Sequence, residues 1–343
     1  MKPITILLLI LSACVPDVDV DASLLGEPRL LAVRAEPAEA GPGESVRFVA
    51  LYAGPDGAID DAPIDWALCT ARKPLAELGP ISQGCLELTH PALVPIGEGI
   101  EASGAVPREA CRLFGPEPPP AEDGAPAGRP VDPDVTGGYA QPLRLRVPGN
   151  DVDSVALFEL RLACGLFGAT QAEAAEYARR YRRNVAPEIT RLELVHEDGR
   201  VLALDEPADV ALGEVVTLRA GWPSCPESDA CGDGLCGIDE TRSDCPDDCT
   251  APSSCAGAER FLRFDVASRA LVADRESIRA AWYTSGGTLE AARTGVGADD
   301  PRTLTENTLT VPESAGELAV IVVLRDARGG VAWREATLRV VQR

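Results

Sequence analysis

The chain has 343 residues, and its 54 acidic side chains against 32 Lys and Arg give a formal net charge of -22 at pH 7. A surface this acidic repels nucleic acid and anionic lipid headgroups, so we expect no nucleic-acid partner. The charge is compatible with bound divalent cations and with plain solubility. The length predicts two or three domains.

The first residues have the composition of a secretory signal. Lys2 precedes an apolar run over residues 4–11, which is less than half of the about 20 apolar residues that a membrane-spanning helix needs. Leu11-Ser12-Ala13-Cys14 resembles the lipobox of bacterial lipoproteins. The resemblance implies removal of residues 1–13 and attachment of acyl chains to Cys14, and two or three such chains anchor a protein stably.

The residue after Cys14 predicts the compartment. By resemblance to the sorting rules of envelope lipoproteins, Asp in this position favours the inner membrane, and this chain has Val15 there. We therefore expect an outer-membrane protein, on the periplasmic face or at the cell surface, whose partner is the membrane through the lipid anchor. Residues 14–27, which include three aspartates, are expected to form an acidic, solvated tether.

The cysteines predict disulfides. The sequence has 11 cysteines, and once Cys14 carries lipid an even number remains in an oxidising compartment. We predict five disulfides, but spacing leaves their pairing open, because four cysteines allow three pairings and six allow fifteen. The cysteines concerned are Cys69, Cys85, Cys111, Cys164, Cys225, Cys231, Cys236, Cys245, Cys249 and Cys255.

A first domain over residues 28–165 has the pattern of a β-sheet protein. Residues 44–52 alternate polar and apolar side chains after breaks at Pro37 and Gly43, and such alternation is typical of strands. Further strands are predicted near residues 30–34, near Trp66, which we expect to be buried, and over 141–149 and 153–164. Residues 71–138 between them are rich in Pro and Gly, so we predict a long surface loop there.

One helix is predicted after this domain, over residues 168–185. Thr170 and Glu173 have the spacing of a capping box, and Tyr177 and Tyr181 lie on one stripe. Four arginines crowd its last turn, where the helix dipole favours cations. We interpret the helix as a linker with a solvated basic end, and a basic docking patch is the alternative.

A second domain over residues 186–341 repeats the first. Gly213-Glu214 before a β run matches Gly43-Glu44, and a strand with Trp282 matches the strand with Trp66. This order resembles tandem immunoglobulin-like or PKD-like β-sandwich modules of bacterial envelope lipoproteins. The resemblance implies an all-β fold of two immunoglobulin-like β-sandwich domains joined by a short helix, with a binding or spacing role.

The second domain carries a disulfide-rich insertion over residues 225–255, which also resembles small CGDG-type repeats of secreted bacterial proteins. From Asp229, acidic residues fall at positions 1, 5 and 12 and Gly at position 6, which is the spacing of a calcium loop, but position 3 is Cys231. A disulfide knot with solvated acids and a calcium loop are both open interpretations. Zinc would need free thiolates, which an oxidising compartment disfavours. The candidate calcium ligands are Asp229, Asp233, Glu240 and Asp244, with Asp247 and Asp248 nearby.

Catalytic motifs are missing from the sequence. His90 and His196 are the only histidines, so a Ser-His-Asp triad would need one of them. No nucleophile elbow, zincin, Walker or dinucleotide motif occurs. We expect a non-catalytic binding or structural module with an unidentified protein or glycan ligand and no cofactor other than calcium. The alternatives are a calcium-dependent adhesion or recognition protein that uses the insertion, and a hydrolase with an unfamiliar site.

Overall fold

The structure is a computed structural model that describes residues 21–72, 81–116, 133–149, 153–225, 231, 240, 245–247 and 254–342. The expected signal and Cys14 lie outside these residues. Within them the chain is built mainly of β-strands, and its two α-helices have ten residues or fewer. None of the helices in the described ranges combines the length and the apolar character that a membrane span requires.

The first sandwich consists of two sheets. One sheet places β3 against β1, β4 and β7, and the other has the order β2-β9-β8-β5-β6. The first strand of this second sheet, β2, runs parallel to β9, while the other neighbours are antiparallel. The elements are β1 (Arg29–Glu36), β2 (Glu39–Ala40), β3 (Ser45–Gly54), β4 (Gly57–Ala58), β5 (Asp65–Cys69), β6 (Leu93–Glu98), β7 (Glu101–Ala105), helix α1 (Ala110–Phe114), β8 (Tyr139–Val147) and β9 (Ser154–Leu162).

The second sandwich follows helix α2 (Gln171–Arg180) and has the same plan. Its sheets have the orders β11-β10-β13-β19-β17 and β12-β21-β20-β16-β18, and β12 runs parallel to β21. A separate hairpin, β14-β15, lies between β13 and β16. The strands are β10 (Arg191–Val195), β11 (Val201–Ala203), β12 (Ala208–Ala211), β13 (Val215–Gly221), β14 (Arg260–Asp265), β15 (Ala270–Arg275), β16 (Ile278–Thr284), β17 (Thr288–Leu289), β18 (Arg293–Val296), β19 (Leu304–Thr310), β20 (Gly316–Asp326) and β21 (Val331–Val341).

A corner that occurs in both sandwiches explains the repeated Gly-Glu motif. Before β3 the Glu44 carboxylate accepts a hydrogen bond from the Gly41 amide at 2.9 Å, and before β13 the Glu214 carboxylate accepts one from the Ala211 amide at 2.7 Å. Each carboxylate thereby fixes the turn that leads the chain from one sheet into the other. The shared corner, strand order and parallel edge strand make both units immunoglobulin-like β-sandwiches, as the sequence predicts.

Each sandwich has its own apolar core between its sheets. Trp66 on β5 and Trp282 on β16 are 1% and 0% exposed, at equivalent positions of the two units. Because a buried indole N–H needs an acceptor, Trp66 donates to the Gly99 carbonyl at 2.6 Å and Trp282 donates to the Thr294 hydroxyl at 2.8 Å. The expected burial of Trp66 is confirmed.

The structure differs from the expected loop over residues 71–138. In its described part, residues 93–98 form β6 in one sheet, residues 101–105 form β7 in the other sheet, and residues 110–114 form α1. The glycines that suggest a loop belong to these two strands and to the turn that joins them. Gly99, with φ of +94°, forms this turn, and a Cβ on Gly104 would lie 2.6 Å from the Ile96 side chain.

Candidate functional site

The two sandwiches pack directly against each other, in addition to the helix that joins them. The outer face of β1 and β3 in the first unit lies on the outer face of β16, β20 and β21 in the second. Because both faces are apolar, the contact forms a third core. Its buried members are Leu25, Leu31, Ala32, Leu51, Ala53, Ala281, Ile321, Val323 and Val331.

The segment before β1 takes part in this contact. The Leu25 amide donates to the Thr284 carbonyl at 2.8 Å, and the Thr284 amide donates to the Ser23 carbonyl at 2.9 Å. Leu25 is 0% exposed in the third core. Residues 23–25 therefore differ from the solvated tether expected over 14–27, because they are held at the end of β16 in the second sandwich.

The linker helix ends earlier than the sequence predicts, at Arg180 instead of near 185. Both bonds of the predicted capping box form: Glu173 N donates to the Thr170 hydroxyl at 3.3 Å, and Thr170 N donates to the Glu173 carboxylate at 2.6 Å. Tyr177 and Tyr181 stack with ring centroids 4.5 Å apart, which confirms the predicted stripe.

The basic end of the linker is largely occupied by contacts within the chain. Arg180 pairs with Glu176 at 2.7 Å, and Arg183 pairs with Glu44 at 2.6 Å on the first sandwich. Arg182 is buried, 8% exposed. These contacts favour the linker interpretation over the docking patch.

A buried ionic cluster lies where the linker enters the second sandwich. Arg328, in the turn between β20 and β21, is 2% exposed and bonds both Glu259 and Glu276, with its Nε 2.7 Å from Glu276 Oε1. Its Nη1 donates to the Arg182 carbonyl at 2.9 Å, and its guanidinium lies over the Phe261 ring at 4.9 Å. One side chain thus ties the turn, the linker and the β14-β15 hairpin together.

Hydrogen bonds continue from this cluster to the first sandwich. Asp326 accepts from Arg328 N at 2.8 Å and from the Asn184 side-chain amide at 3.2 Å. The Asn184 backbone amide donates to the Glu39 carboxylate at 2.8 Å, and the Tyr181 hydroxyl donates to the same carboxylate at 2.7 Å. Since Glu39 belongs to β2, the network reaches from the hairpin turn of one unit to an edge strand of the other.

Burial dominates the electrostatics of this cluster. It raises the pKa of Glu276 to about 8 and raises the pKa of Glu259 and of Asp326, while the charge of Arg328 opposes each rise. Burial acts to lower the pKa of Arg328, but the charges of Glu276 and Glu259 outweigh it and raise that pKa. One permanent cation therefore faces several carboxyls, and protons reduce their mutual repulsion.

The described contacts of both histidines are structural. His196 Nδ1 lies 2.6 Å from Glu214 Oε1, which is the glutamate of the second corner. His90 Nδ1 accepts from the Ala92 amide at 3.1 Å, and its ring lies against Gly84. Neither histidine contacts a Ser or Cys nucleophile in these bonds.

The structure gives the pairing of the cysteines that it describes. The disulfides are Cys69–Cys85, Cys111–Cys164, Cys225–Cys255 and Cys231–Cys245. Cys225–Cys255 closes the base of the insertion beside the ionic cluster, since Cys255 N donates to Glu259 at 3.0 Å. Cys236 and Cys249 lie outside the described residues, so a fifth disulfide stays a prediction.

Of the four candidate calcium ligands, only Glu240 lies in the described part of the chain. It is 3% exposed, and its charge opposes the lowering of the Arg182 pKa that burial causes. Its carboxylate and the sulfurs of Cys231 and Cys245 lie within 4.8 Å of one another, but the two sulfurs are bonded to each other and offer no thiolate. Asp229, Asp233 and Asp244 are outside the described residues, and the calcium loop stays a prediction.

Two sheet faces lie outside the contact between the units. On the second sandwich, Arg219 pairs with Glu193 at 3.3 Å and with Glu306 at 2.7 Å across three strands, which gives an ion-paired, solvated face.

On the free sheet face of the first sandwich, Arg144 of β8 is 4% exposed, and its Nε and Nη2 have no hydrogen-bond partner within the described structure. Burial and the charge of Arg146 lower its pKa. Such an orphaned buried cation needs an explanation.

No family model and no curated protein matches the chain. Among solved structures, the C-terminal domain of the Streptococcus agalactiae AgI/II polypeptide BspA aligns at 10% identity over 91% of this chain and 99% of that chain, with a TM-score of 0.23. The Yersinia pseudotuberculosis adhesin InvE aligns at 9% identity, 91% and 58% coverage and a TM-score of 0.21. Dimeric latent PorU from Porphyromonas gingivalis aligns at 11% identity, 93% and 24% coverage and a TM-score of 0.20.

The chain thus spans 58% of InvE and 24% of PorU. At these TM-scores the alignments carry no argument, and the fold assignment rests on the chain's own strand order and corners.

Sequence reasoning missed both the third core and the ionic cluster. The third core has a signal: residues 318–324 on β20 are apolar without alternation, and all are buried. A continuous apolar run is typical of a strand covered on both faces. The ionic cluster has no such signal, because Glu259 and Glu276 look like any other of the 54 acids.

Proposed function

We propose that the chain is a lipid-anchored envelope protein that acts as a non-catalytic binding or structural module. The observation that carries this proposal is the contact between the sandwiches, where an apolar core and a buried ionic network hold two immunoglobulin-like units in one orientation. A rigid pair suits a protein that presents a surface at a fixed distance from a membrane. The Leu-Ser-Ala-Cys14 motif supports the anchor.

The face that best suits a ligand is the outer face of the five-stranded sheet in the first sandwich. Its counterpart in the second sandwich is covered by β1 and β3, and the remaining face carries the Arg219 ion pairs. Arg144 sits on this free face between Ala67 and Leu157 in register. The Nε and Nη2 atoms of this guanidinium are buried and have no hydrogen-bond partner in the described structure, so a carboxylate of a protein or glycan ligand that reached them would satisfy both donors.

The anchor is tested by growing a bacterial host that expresses the full chain with labelled palmitate. We expect label in the wild-type protein and sedimentation with outer membranes, and neither in Cys14→Ser. A wild-type protein that is unlabelled and released from membranes would contradict the anchor. A panel of fluorogenic glycoside and peptide substrates tests the non-catalytic role, and turnover by the purified chain that survives repurification would contradict it.

A further inference from the structure

Four arginines form a basic patch on this acidic protein, at the margin of the contact between the sandwiches. Arg279 on β16 lies directly opposite Arg325 on β20, and Arg293 on β18 lies opposite Ala281, so all three share the outer face of one sheet. Arg29 adds its guanidinium over the Tyr283 ring on the same face, at 5.8 Å. We call Arg29, Arg279, Arg293 and Arg325 the basic patch.

The patch has no acidic partner in the described part of the chain. None of its four arginines forms an ion pair there, although most other buried or half-buried arginines do. Arg279 and Arg293 are exposed. Burial lowers the pKa of Arg325, the neighbouring Tyr283 opposes this shift, and the like charge of Arg293 lowers the pKa further. In a chain with 54 acids and 32 basic residues, an uncompensated positive cluster indicates an anionic partner.

The position of the N-terminal segment indicates which partner. Arg29 Nη2 donates to the Ala22 carbonyl at 2.6 Å and to the Leu24 carbonyl at 3.1 Å, so the segment leaves the fold beside the patch. Trp282 N donates to the Ala292 carbonyl, so the neighbouring position on the edge of β16 is already occupied. From Asp21 to Cys14 the chain can span at most about 25 Å.

We propose that the basic patch docks on the anionic headgroup surface of the membrane that holds the Cys14 lipid. This inference rests on the proposed lipid anchor and adds the orientation of the module, in which the patch faces the bilayer. The negative net charge of the chain does not prevent this contact, because exposed charges that lie more than about 8 Å from the headgroups are largely screened from them at physiological salt. Each Lys or Arg close to an anionic surface strengthens attachment roughly fivefold.

The experiment couples the mature chain, residues 14–343, through the Cys14 thiol to a maleimide lipid in vesicles, so it does not depend on lipidation in cells. Benzoylphenylalanine replaces the exposed Ala292 beside the patch, and photo-cross-linking to lipid is measured. Vesicles contain either phosphatidylglycerol with phosphatidylethanolamine or phosphatidylcholine alone. The patch variant is Arg279→Glu/Arg293→Glu, and the control of equal charge is Arg191→Glu/Arg200→Glu, at exposed positions on β10 and in the β10–β11 connection.

We expect cross-linking in the anionic vesicles to exceed that in phosphatidylcholine at least fivefold, and to fall to that level in 0.5 M salt or in the patch variant. The control variant should retain the wild-type signal. Cross-linking that does not depend on lipid charge, or that falls equally in both variants, would overturn the proposal. If replacing Asp17 and Asp19 by Asn is the only change that alters the signal, the tether itself occupies the patch. Failure of palmitate labelling in cells would leave this result intact and refute only the natural anchor.

Discussion

Replacement of Arg328 by Met tests the reasoning about the ionic cluster. Arg328→Met keeps the volume of the side chain and removes the one cation that bonds Glu259 and Glu276, both 6% exposed or less. Two buried carboxyls then lose their partner, and the cation–π contact between Arg328 and Phe261 is lost as well. Breaking a buried ion pair from one side costs about 3–5 kcal/mol.

The cost should depend on pH, since protons can replace the lost cation. At pH 9, above the raised pKa of Glu276, the two carboxyls must stay charged and unpaired or take up protons against the bulk pH. At pH 5 uptake is easy, because burial has already raised the pKa of both groups. We therefore expect Arg328→Met to lower the free energy of unfolding by about 3–5 kcal/mol at pH 9 and by less than half of that at pH 5.

Urea unfolding followed by tryptophan fluorescence measures both values, because Trp282 lies in the core of the same sandwich. The control is Arg339→Met, which removes an ion pair with Asp209 whose side chains are both about half exposed and should cost less than about 1 kcal/mol. Adding Glu259→Gln and Glu276→Gln to Arg328→Met should restore most of the loss. A loss below about 1 kcal/mol that does not change with pH would refute the assignment of a buried, charge-coupled cluster.

Three further predictions concern single side chains. Burial raises the pKa of Glu276 to about 8 in the folded state, so its contribution to stability is present below pH 4.5 and is lost as pH rises through 8. Glu276→Gln should therefore flatten the decline in the free energy of unfolding with pH, measured by urea titration, and parallel declines in variant and wild type would contradict this. Thr170→Ala should raise the hydrogen-exchange rate of the Glu173 amide roughly fivefold, for a cap that contributes about 1 kcal/mol, while Thr288→Ala should not. Arg144→Met should raise the unfolding free energy by about 1–2 kcal/mol, because it removes buried donors without partners; a loss would mean that Arg144 stabilises the fold.

The sequence predicts the long strands well, because burial on one face imposes alternation. β3, β5, β8 and β9 were all expected. Prediction from the sequence fails at β6 and β7, because glycines are typical of loops. Here Gly99 is needed for a tight turn, and Gly104 is needed for the close approach of the two strands. The hairpin β14-β15 was not expected either, since its charged strands lack the alternation of a core strand.

The site is less predictable than the fold for a physical reason. Local patterns record which face of a strand is buried, and they do not record what buries it. The apolar run on β20 indicates that both faces of this strand are covered, but only the folded chain shows that Leu31 and Leu51 of the first sandwich cover its outer face. Arg328 lies in a turn whose sequence is typical of an exposed hairpin, and its burial follows from the linker and the β14-β15 hairpin that contact it.

The third core and the ionic cluster hold the two sandwiches as one rigid body. Small-angle scattering of residues 14–343 tests this rigidity, with Ile321→Asp as the variant that places a charge in the third core. A compact chain of this length has a radius of gyration of about 20 Å. We expect a wild-type value close to this, with a profile that fits a single conformation, and a clear increase in the variant. A wild-type profile that requires an ensemble of two separately tumbling bodies would contradict it.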